Sequence, residues 1–178
     1  MIQSSIRLGM FSALAFLIGC AAPADPGRMT VTKKASDEAY PRELHLAMCV
    51  RIVTGGEETN PMWMTKVSSA DFKTALVESM ARVRLIAPPD ACKYNVDVNL
   101  LGISQPSGGW TLEVTSHVNY KVFNVAAEPI LLETVSAPFT ATTSDAWGAL
   151  TRVKIAIEGA VRTSIEQFLD KLRGLKQF

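Results

Sequence analysis

The stretch Lys93–Leu101, KYNVDVNLL, decides the fold. Its apolar residues Tyr94, Val96, Val98 and Leu100 alternate with polar ones. Alternation with a period of two places one set of side chains on each face of an extended chain. This pattern predicts a β-strand with one face in the core and the other in water.

Three further stretches extend this pattern in both directions. Trp110–Val122, WTLEVTSHVNYKV, alternates over its whole length, and so does Leu44–Val53. A fourth strand is predicted at 130–142, where the irregular order around Leu131 suggests a bulge. Pro138 lies in this strand and suits an edge position, because proline cannot donate a ladder hydrogen bond.

Two other stretches have the helical spacing of three and four residues. One helix is predicted from an N-cap at Ser68 through Arg84. The other is predicted over 145–172, with Thr143 or Ser144 as its cap. Its buried stripe is predicted to contain Leu150, Val153, Ile157, Val161, Ile165, Phe168 and Leu172.

The element order is therefore β-α-β-β-β-α. Each helical stripe needs an apolar sheet face to cover, so the simplest arrangement has both helices on one side of one sheet. We expect an α+β fold of two layers, with a four-stranded, mostly antiparallel sheet. The three consecutive strands should form a meander, and the sequence leaves the position of the first strand open.

The N-terminus carries a different signal. The apolar run Leu8–Leu17 is too short to span a bilayer and ends in Leu17-Ile18-Gly19-Cys20. These four residues resemble the lipobox of bacterial lipoproteins, which implies cleavage before Cys20 and attachment of lipid to it. The alternative is an ordinary signal peptide, cut after Ala21 or Ala22.

This resemblance sets the expected domain organisation. Residues 1–19 are expected to be the signal peptide, 20–43 the lipidated cysteine and a flexible tether, and 44–178 a single α+β domain. Because Ala21 and not aspartate follows Cys20, the resemblance implies an outer-membrane lipoprotein that faces the periplasm.

Two internal stretches carry a wider resemblance. One is Asn60-Pro61-Met62-Trp63 with the helix after it, and the other runs from Thr140 to Leu169. Together they resemble a group of small, uncharacterised proteobacterial lipoproteins, which implies a location and no established activity. The element order is also similar to that of the lipopolysaccharide-assembly lipoprotein LptE, in topology alone.

Cys49 and Cys92 would both remain in the exported chain. Disulfides form in the periplasm. Strand parity places Cys49 on the polar side of its strand and Cys92 on the side of Tyr94, so the sequence leaves a disulfide and two separate thiols both open.

The remaining composition argues against several classes of function. The net charge is +1 and acids and bases are interspersed, so nucleic acid is not an expected partner. There is no CxxC motif and no cluster of cysteine and histidine, so neither a metal nor another cofactor is expected.

No catalytic group is predicted. Ser116 and His117 are neighbours in a strand and point to opposite faces, so they cannot pair as nucleophile and base. His45 and His117 both fall on polar strand faces and would form a pH-sensitive or metal-binding pair only if their strands were neighbours.

The loop residues Met62, Trp63 and Met64 are the candidate partner contact, because tryptophan and methionine make adaptable apolar interfaces. The alternative is that Trp63 folds over the edge of the core. We therefore expect a non-enzymatic envelope lipoprotein that is held to the membrane by lipid and binds another envelope protein. The alternative function is a binder of lipid or another amphipathic ligand, in a groove between sheet and helices.

Overall fold

The alternating stretches form four strands of one sheet, and the helical stretches form its cover. A computed structural model describes residues 21–32, 40–60, 64–88, 90–105 and 111–176. The strands are β1 (Met48–Thr54), β2 (Tyr94–Ser104), β3 (Leu112–Asn124) and β4 (Pro129–Ala141). The helices are α1 (Pro26–Met29), α2 (Ser69–Arg82) and α3 (Ala149–Arg173), and Arg42–Leu44 forms one 3-10 turn.

The sheet has the order β1-β2-β3-β4. β1 runs parallel to β2, and the other two pairs are antiparallel, with Val96 opposite Val122 and Val118 opposite Val135. This arrangement confirms the predicted α+β class and the meander, and it places the first strand beside β2. The parallel pair requires a crossover connection, which α2 provides.

β4 forms one edge of the sheet, as Pro138 indicated. The register between β3 and β4 shifts between Leu131 and Pro129, which is the irregularity expected near Leu131. A second shift lies in β2 between Leu100 and Gly102.

Both long helices pack on the same face of the sheet. Between the layers the Tyr120 ring stacks on that of Phe168 with centroids 4.3 Å apart, and the Phe72 ring lies 6.4 Å away. The Tyr120 hydroxyl and Ser164 Oγ form a buried hydrogen bond of 2.9 Å. Burial raises the pKa of Tyr120, so this hydroxyl stays protonated and keeps its hydrogen bond.

The start of the last helix differs from the prediction. Thr143 and Ser144 do not cap it; α3 begins at Ala149 with Gly148 as its N-cap. Asp145 instead accepts the Thr142 backbone N–H at 2.8 Å, which holds this segment in a turn. Leu150 consequently lies in the exposed first turn of the helix and not in the buried stripe.

The prediction of a flexible tether over 20–43 is wrong for the described parts of that range. Residues 21–32 pack against α2 and α3, and Ala24, Met29 and Val31 are buried in the core cluster. Their apolar side chains follow no helical or strand period, so the sequence pattern did not reveal them.

The strand expected to begin at Leu44 begins at Met48, because Leu44 is buried within the 3-10 turn.

Candidate functional site

Both long helices lie on one face of the sheet, and no helix among the described residues covers the other face. We call it the outer face and define it by Arg51 of β1, Asp97 and Asn99 of β2, His117, Asn119 and Lys121 of β3, and Leu132, Thr134 and Ser136 of β4. These are the polar positions of the alternating stretches, with Leu132 as an apolar member. The alternation that buries one face therefore leaves a hydrogen-bonding surface on the other.

An ion pair joins β1 and β2 on the outer face. Arg51 Nε donates to Asp97 Oδ1 at 2.9 Å, and Arg51 Nη2 contacts Asp97 Oδ2. The hydrogen bonds from Arg51 lower the pKa of the Asp97 carboxyl. The carboxylate is therefore ionised at neutral pH and binds the guanidinium through two of its nitrogens.

Hydrogen bonds also link the polar side chains of the other strands. Asn119 Nδ2 donates to Thr134 Oγ1 at 2.9 Å. The two ring nitrogens of His117 lie 2.9 Å from Ser136 Oγ and 3.1 Å from Ser104 Oγ, so the imidazole bridges β2 and β4. These cross-strand pairs fix the side chains of the outer face in defined positions.

A depression of about 460 Å³ lies on this face over β1, β2 and β3. Its lining includes Arg51, Asp97, Asn119, Lys121 and Phe123. This volume falls within the range of small-molecule sites, about 300–1,000 Å³. The lining offers charged and amide groups with one aromatic ring, so it can bind a polar segment of a protein or the polar part of an amphipathic molecule.

Of the predicted partner contact, only Met64 lies within the described residues. Met62 and Trp63 lie outside them, as do Cys20 and residues 1–19. Met64 is 43% exposed and pairs with Asn60 through an isolated bridge. The loop around it is tied by the Glu57 N–H, which donates to the Val67 carbonyl at 2.9 Å.

Cys49 and Cys92 form a disulfide, with Cα atoms 5.7 Å apart. The parity argument against this bridge does not apply, because Cys92 precedes β2 and lies in the turn before it. In that turn the backbone N–H groups of Lys93 and Tyr94 both donate to the Ala47 carbonyl, which brings the turn to the start of β1.

The histidines and Ser116 are kept apart. His45 lies in the turn before β1, whereas His117 lies in the middle of β3 on the outer face, so the two do not form a pair. Ser116 is buried on the opposite face, where its Oγ donates to the Ala160 carbonyl at 3.0 Å. Ser116 is therefore a packing residue that ties α3 to β3.

The described ranges contain no group of three or more histidine, cysteine or acidic residues placed to hold a metal ion. No helix within them combines the length and apolar character needed to cross a bilayer.

Sequence reasoning missed two features of this region. The Arg51–Asp97 pair depends on β1 lying beside β2, and no sequence signal fixed that neighbour. The docking of residues 21–32 rests on single buried side chains such as Met29 and Val31. The one sequence signal for this docking was the presence of several apolar residues, without a regular period, close to the Pro26-Gly27 turn.

Comparison with known proteins adds fold information. No protein-family model matches the sequence, and no curated protein matches it. Protein XCC0632 from Xanthomonas campestris, of the family DUF330, aligns with a TM-score of 0.52 and 10% identity over 75% of this chain and 89% of that one. The hypothetical protein CT253 from Chlamydia trachomatis aligns with a TM-score of 0.52 and 10% identity over 72% and 95%.

A third structure is described as a "putative lipoprotein" from Caulobacter crescentus CB15. It aligns with a TM-score of 0.46 and 12% identity over 68% of this chain and 87% of that one, which is too low to establish a shared fold. At 10% identity the first two likenesses show that this chain has a fold found in those proteins, and shared fold does not imply shared function.

Proposed function

We propose that this chain is a lipoprotein of the outer membrane that faces the periplasm, is anchored by lipid on Cys20, and binds another envelope protein without catalysing a reaction. The lipobox-like Leu17–Cys20 and the apolar run before it support the anchor. Three acyl chains, which the resemblance implies, would hold the protein far more firmly than the marginal binding that one chain gives.

The Cys49–Cys92 disulfide supports export. Disulfides persist in oxidising compartments and are rare in the cytosol, where thiols are kept reduced. A stabilising bridge in a domain of this size therefore favours the periplasmic side of the envelope.

The observation that carries the binding role is the outer face. The other face of the sheet is covered by α2 and α3, whereas Asp97, Asn99 and Asn119 line an open depression. Two apolar side chains, Ile52 and Leu132, are 46% and 59% exposed beside these polar groups. Apolar contacts next to positioned hydrogen-bonding groups are the usual composition of a protein interface.

Photo-crosslinking in intact cells tests this role. A photoreactive amino acid at Asn99 or at Leu132 is expected to give an adduct of one discrete mass. The matched control is the same amino acid at Gln167, an exposed position on α3 in the helical layer. Adducts of equal yield from all three positions, or none from the outer face in cells that hold the lipidated protein, would contradict the proposal.

The anchor and the loop contact need separate tests. A clickable palmitate analogue should label the wild-type protein and not Cys20→Ala, and equal labelling would refute lipid attachment at Cys20.

Trp63→Ala should weaken crosslinking to the partner if the loop of Met62, Trp63 and Met64 takes part in the contact. If Trp63→Ala leaves the crosslinking yield unchanged, the loop takes no part in the contact and the interface is formed by the outer face.

A second candidate function is binding of a lipid or another amphipathic ligand, in an LptE-like or transport-accessory role. The depression on the outer face favours it, because Arg51 and Lys121 could hold an anionic head group beside Phe123. The groove first considered, between sheet and helices, is filled by buried side chains such as Tyr120 and Phe168. Native mass spectrometry of the purified protein should show non-covalently bound lipid under this alternative. A mass that accounts for the protein and its covalent anchor alone would exclude it.

A further inference from the structure

The first described residue of the chain and two exposed apolar side chains lie at the same end of the domain. β1 ends at Thr54 and β2 at Ser104, and Ala141 at the end of β4 pairs with Leu112 at the start of β3. The loop residues 55–60 and 64–68 after β1 and the loop 142–148 after β4 lie at this end, which we call the anchor end. The turn 125–128, between β3 and β4, lies at the opposite, distal end.

Residues 21–25 are fixed to the anchor end. Thr65 Oγ1 donates to the Ala22 carbonyl at 2.8 Å, and the Ala24 N–H donates to the Lys66 carbonyl at 3.4 Å. The Asp25 N–H donates to Glu158 Oε1 at 2.9 Å. Ala21 is itself buried, so the chain is held on the domain from its first described residue.

This docking leaves no spacer between a lipid on Cys20 and the domain. Consecutive Cα atoms are about 3.8 Å apart, so a lipidated Cys20 would join the domain one residue before the buried Ala21. The anchor would then hold this end of the domain at the bilayer surface, and the domain would not move freely above it.

The apolar side chains of the anchor end suit that position. Trp147, in the loop before α3, is 90% exposed, and Met64, in the loop between β1 and α2, is 43% exposed. Tryptophan is enriched at membrane–water interfaces because its ring is apolar and its indole N–H is polar. The described residues of these loops hold three acidic side chains, Glu57, Glu58 and Asp145, and one basic one, Lys66, which pairs with Glu57 at 3.1 Å. This surface therefore suits zwitterionic head groups and not anionic ones.

We propose that the anchor end lies against the bilayer, with Trp147 and Met64 at the head-group level, so that the distal end points away from the membrane. This orientation rests on the proposed lipid anchor at Cys20. It adds to the proposed function the surface that contacts lipid, and it leaves the outer face accessible from the side.

Fluorescence quenching on vesicles tests the orientation with the lipidated full chain. Trp63→Phe with Trp110→Phe leaves Trp147 as the single tryptophan of the three in the sequence. On phosphatidylcholine vesicles with brominated acyl chains, its emission is expected to fall relative to unbrominated vesicles. The matched control adds Trp147→Phe and Val125→Trp, which moves the fluorophore to a 76% exposed site at the distal end, where no loss is expected.

Flotation of the vesicles separates the two proposals. If the protein does not float with them, the lipid anchor fails and the orientation fails with it. If it floats and the emission from position 147 falls no more than that from position 125, the orientation alone is overturned.

Hydrogen exchange of the unsubstituted protein gives a second measurement that needs no tryptophan replacement. On vesicles, compared with detergent, residues 142–150 should gain protection while 124–129 stay unchanged. Equal protection at both ends would overturn the orientation.

Discussion

Gly159 of α3 lies directly against the ring of Phe139 on β4: a Cβ on Gly159 would come within 2.3 Å of the ring Cδ1. This contact lets the helix approach the sheet closely. Ser116 secures the same approach from β3, since its Oγ donates to the Ala160 carbonyl.

Gly159→Ala is therefore expected to lower the free energy of unfolding by about 1–3 kcal/mol, because the added methyl group must displace the ring or the helix. Urea denaturation measures the change. Gly174→Ala is the control: it is exposed, its backbone is in the right-handed helical region and its nearest contact is the Lys171 carbonyl at 3.6 Å, so it should change stability by about 0.5 kcal/mol or less. If Phe139→Leu does not relieve the Gly159→Ala defect, the ring is not its cause.

Residues 21–32 contribute to stability if they are docked as described. Met29 is fully buried between α2 and α3, so Met29→Ala should lower the free energy of unfolding by about 2–5 kcal/mol. Met64→Ala removes the same side chain at an exposed position and should change stability by about 0.5 kcal/mol or less. Equal, small effects of the two substitutions would mean that the segment is a free tether.

Glu158 should give the protein a pH-dependent stability of a defined sign. Its carboxyl is buried, and burial raises its pKa above the ordinary value of 4.5. Over the pH range between its unfolded and folded pKa values the folded protein holds a proton that the unfolded chain has lost. This group therefore makes the free energy of unfolding rise as the pH falls toward the unfolded pKa.

Glu158→Gln removes this dependence while keeping an acceptor for the Asp25 N–H. The difference in free energy of unfolding, wild type minus Glu158→Gln, should increase as the pH is lowered from neutral toward the ordinary glutamate pKa of 4.5. Asp97, whose pKa is lowered, has the opposite effect, since its contribution is lost as the pH falls through its folded pKa, but it is common to both proteins and cancels. A difference that stays flat across this pH range would refute the assignment to Glu158.

The Cys49–Cys92 disulfide closes a loop with a sequence separation of 43 residues. Reduction, or the Cys49→Ser and Cys92→Ser double variant, should lower the free energy of unfolding by about 4 kcal/mol in the chain-entropy model. Urea titration with and without reductant measures it. The double variant should not respond to reductant, and a wild-type midpoint that reductant leaves unchanged would show that the bridge is not formed.

The elements that could be predicted from the sequence are those in which apolar residues recur with a regular period. The period of two in Tyr94–Leu100 and the stripe through Ile157, Val161 and Ile165 gave the sheet, its covered face and the helical layer, because burial imposes these periods. The polar character of the outer face follows from the same alternation.

What the sequence did not predict depends on individual contacts that do not repeat along the chain. Thr143 and Ser144 are good caps by type, yet Asp145 binds Thr142 locally and delays the helix to Ala149. Met29 has a buried place only after α2 and α3 have been brought side by side, so no local pattern announces it. The Arg51–Asp97 pair likewise exists only because β1 lies beside β2.

The hydrogen bonds that fix the N-terminal segment have a consequence for the order of folding. Asp25 binds Glu158 across 133 positions of the chain, and the Arg28 carbonyl binds Arg162 across 134. Residues synthesised early must therefore wait for partners synthesised near the end, and contacts so distant in sequence form slowly. We expect the docking of residues 21–32 onto α3 to be the last step of folding. In a chain that ends before α3, these residues would not be docked.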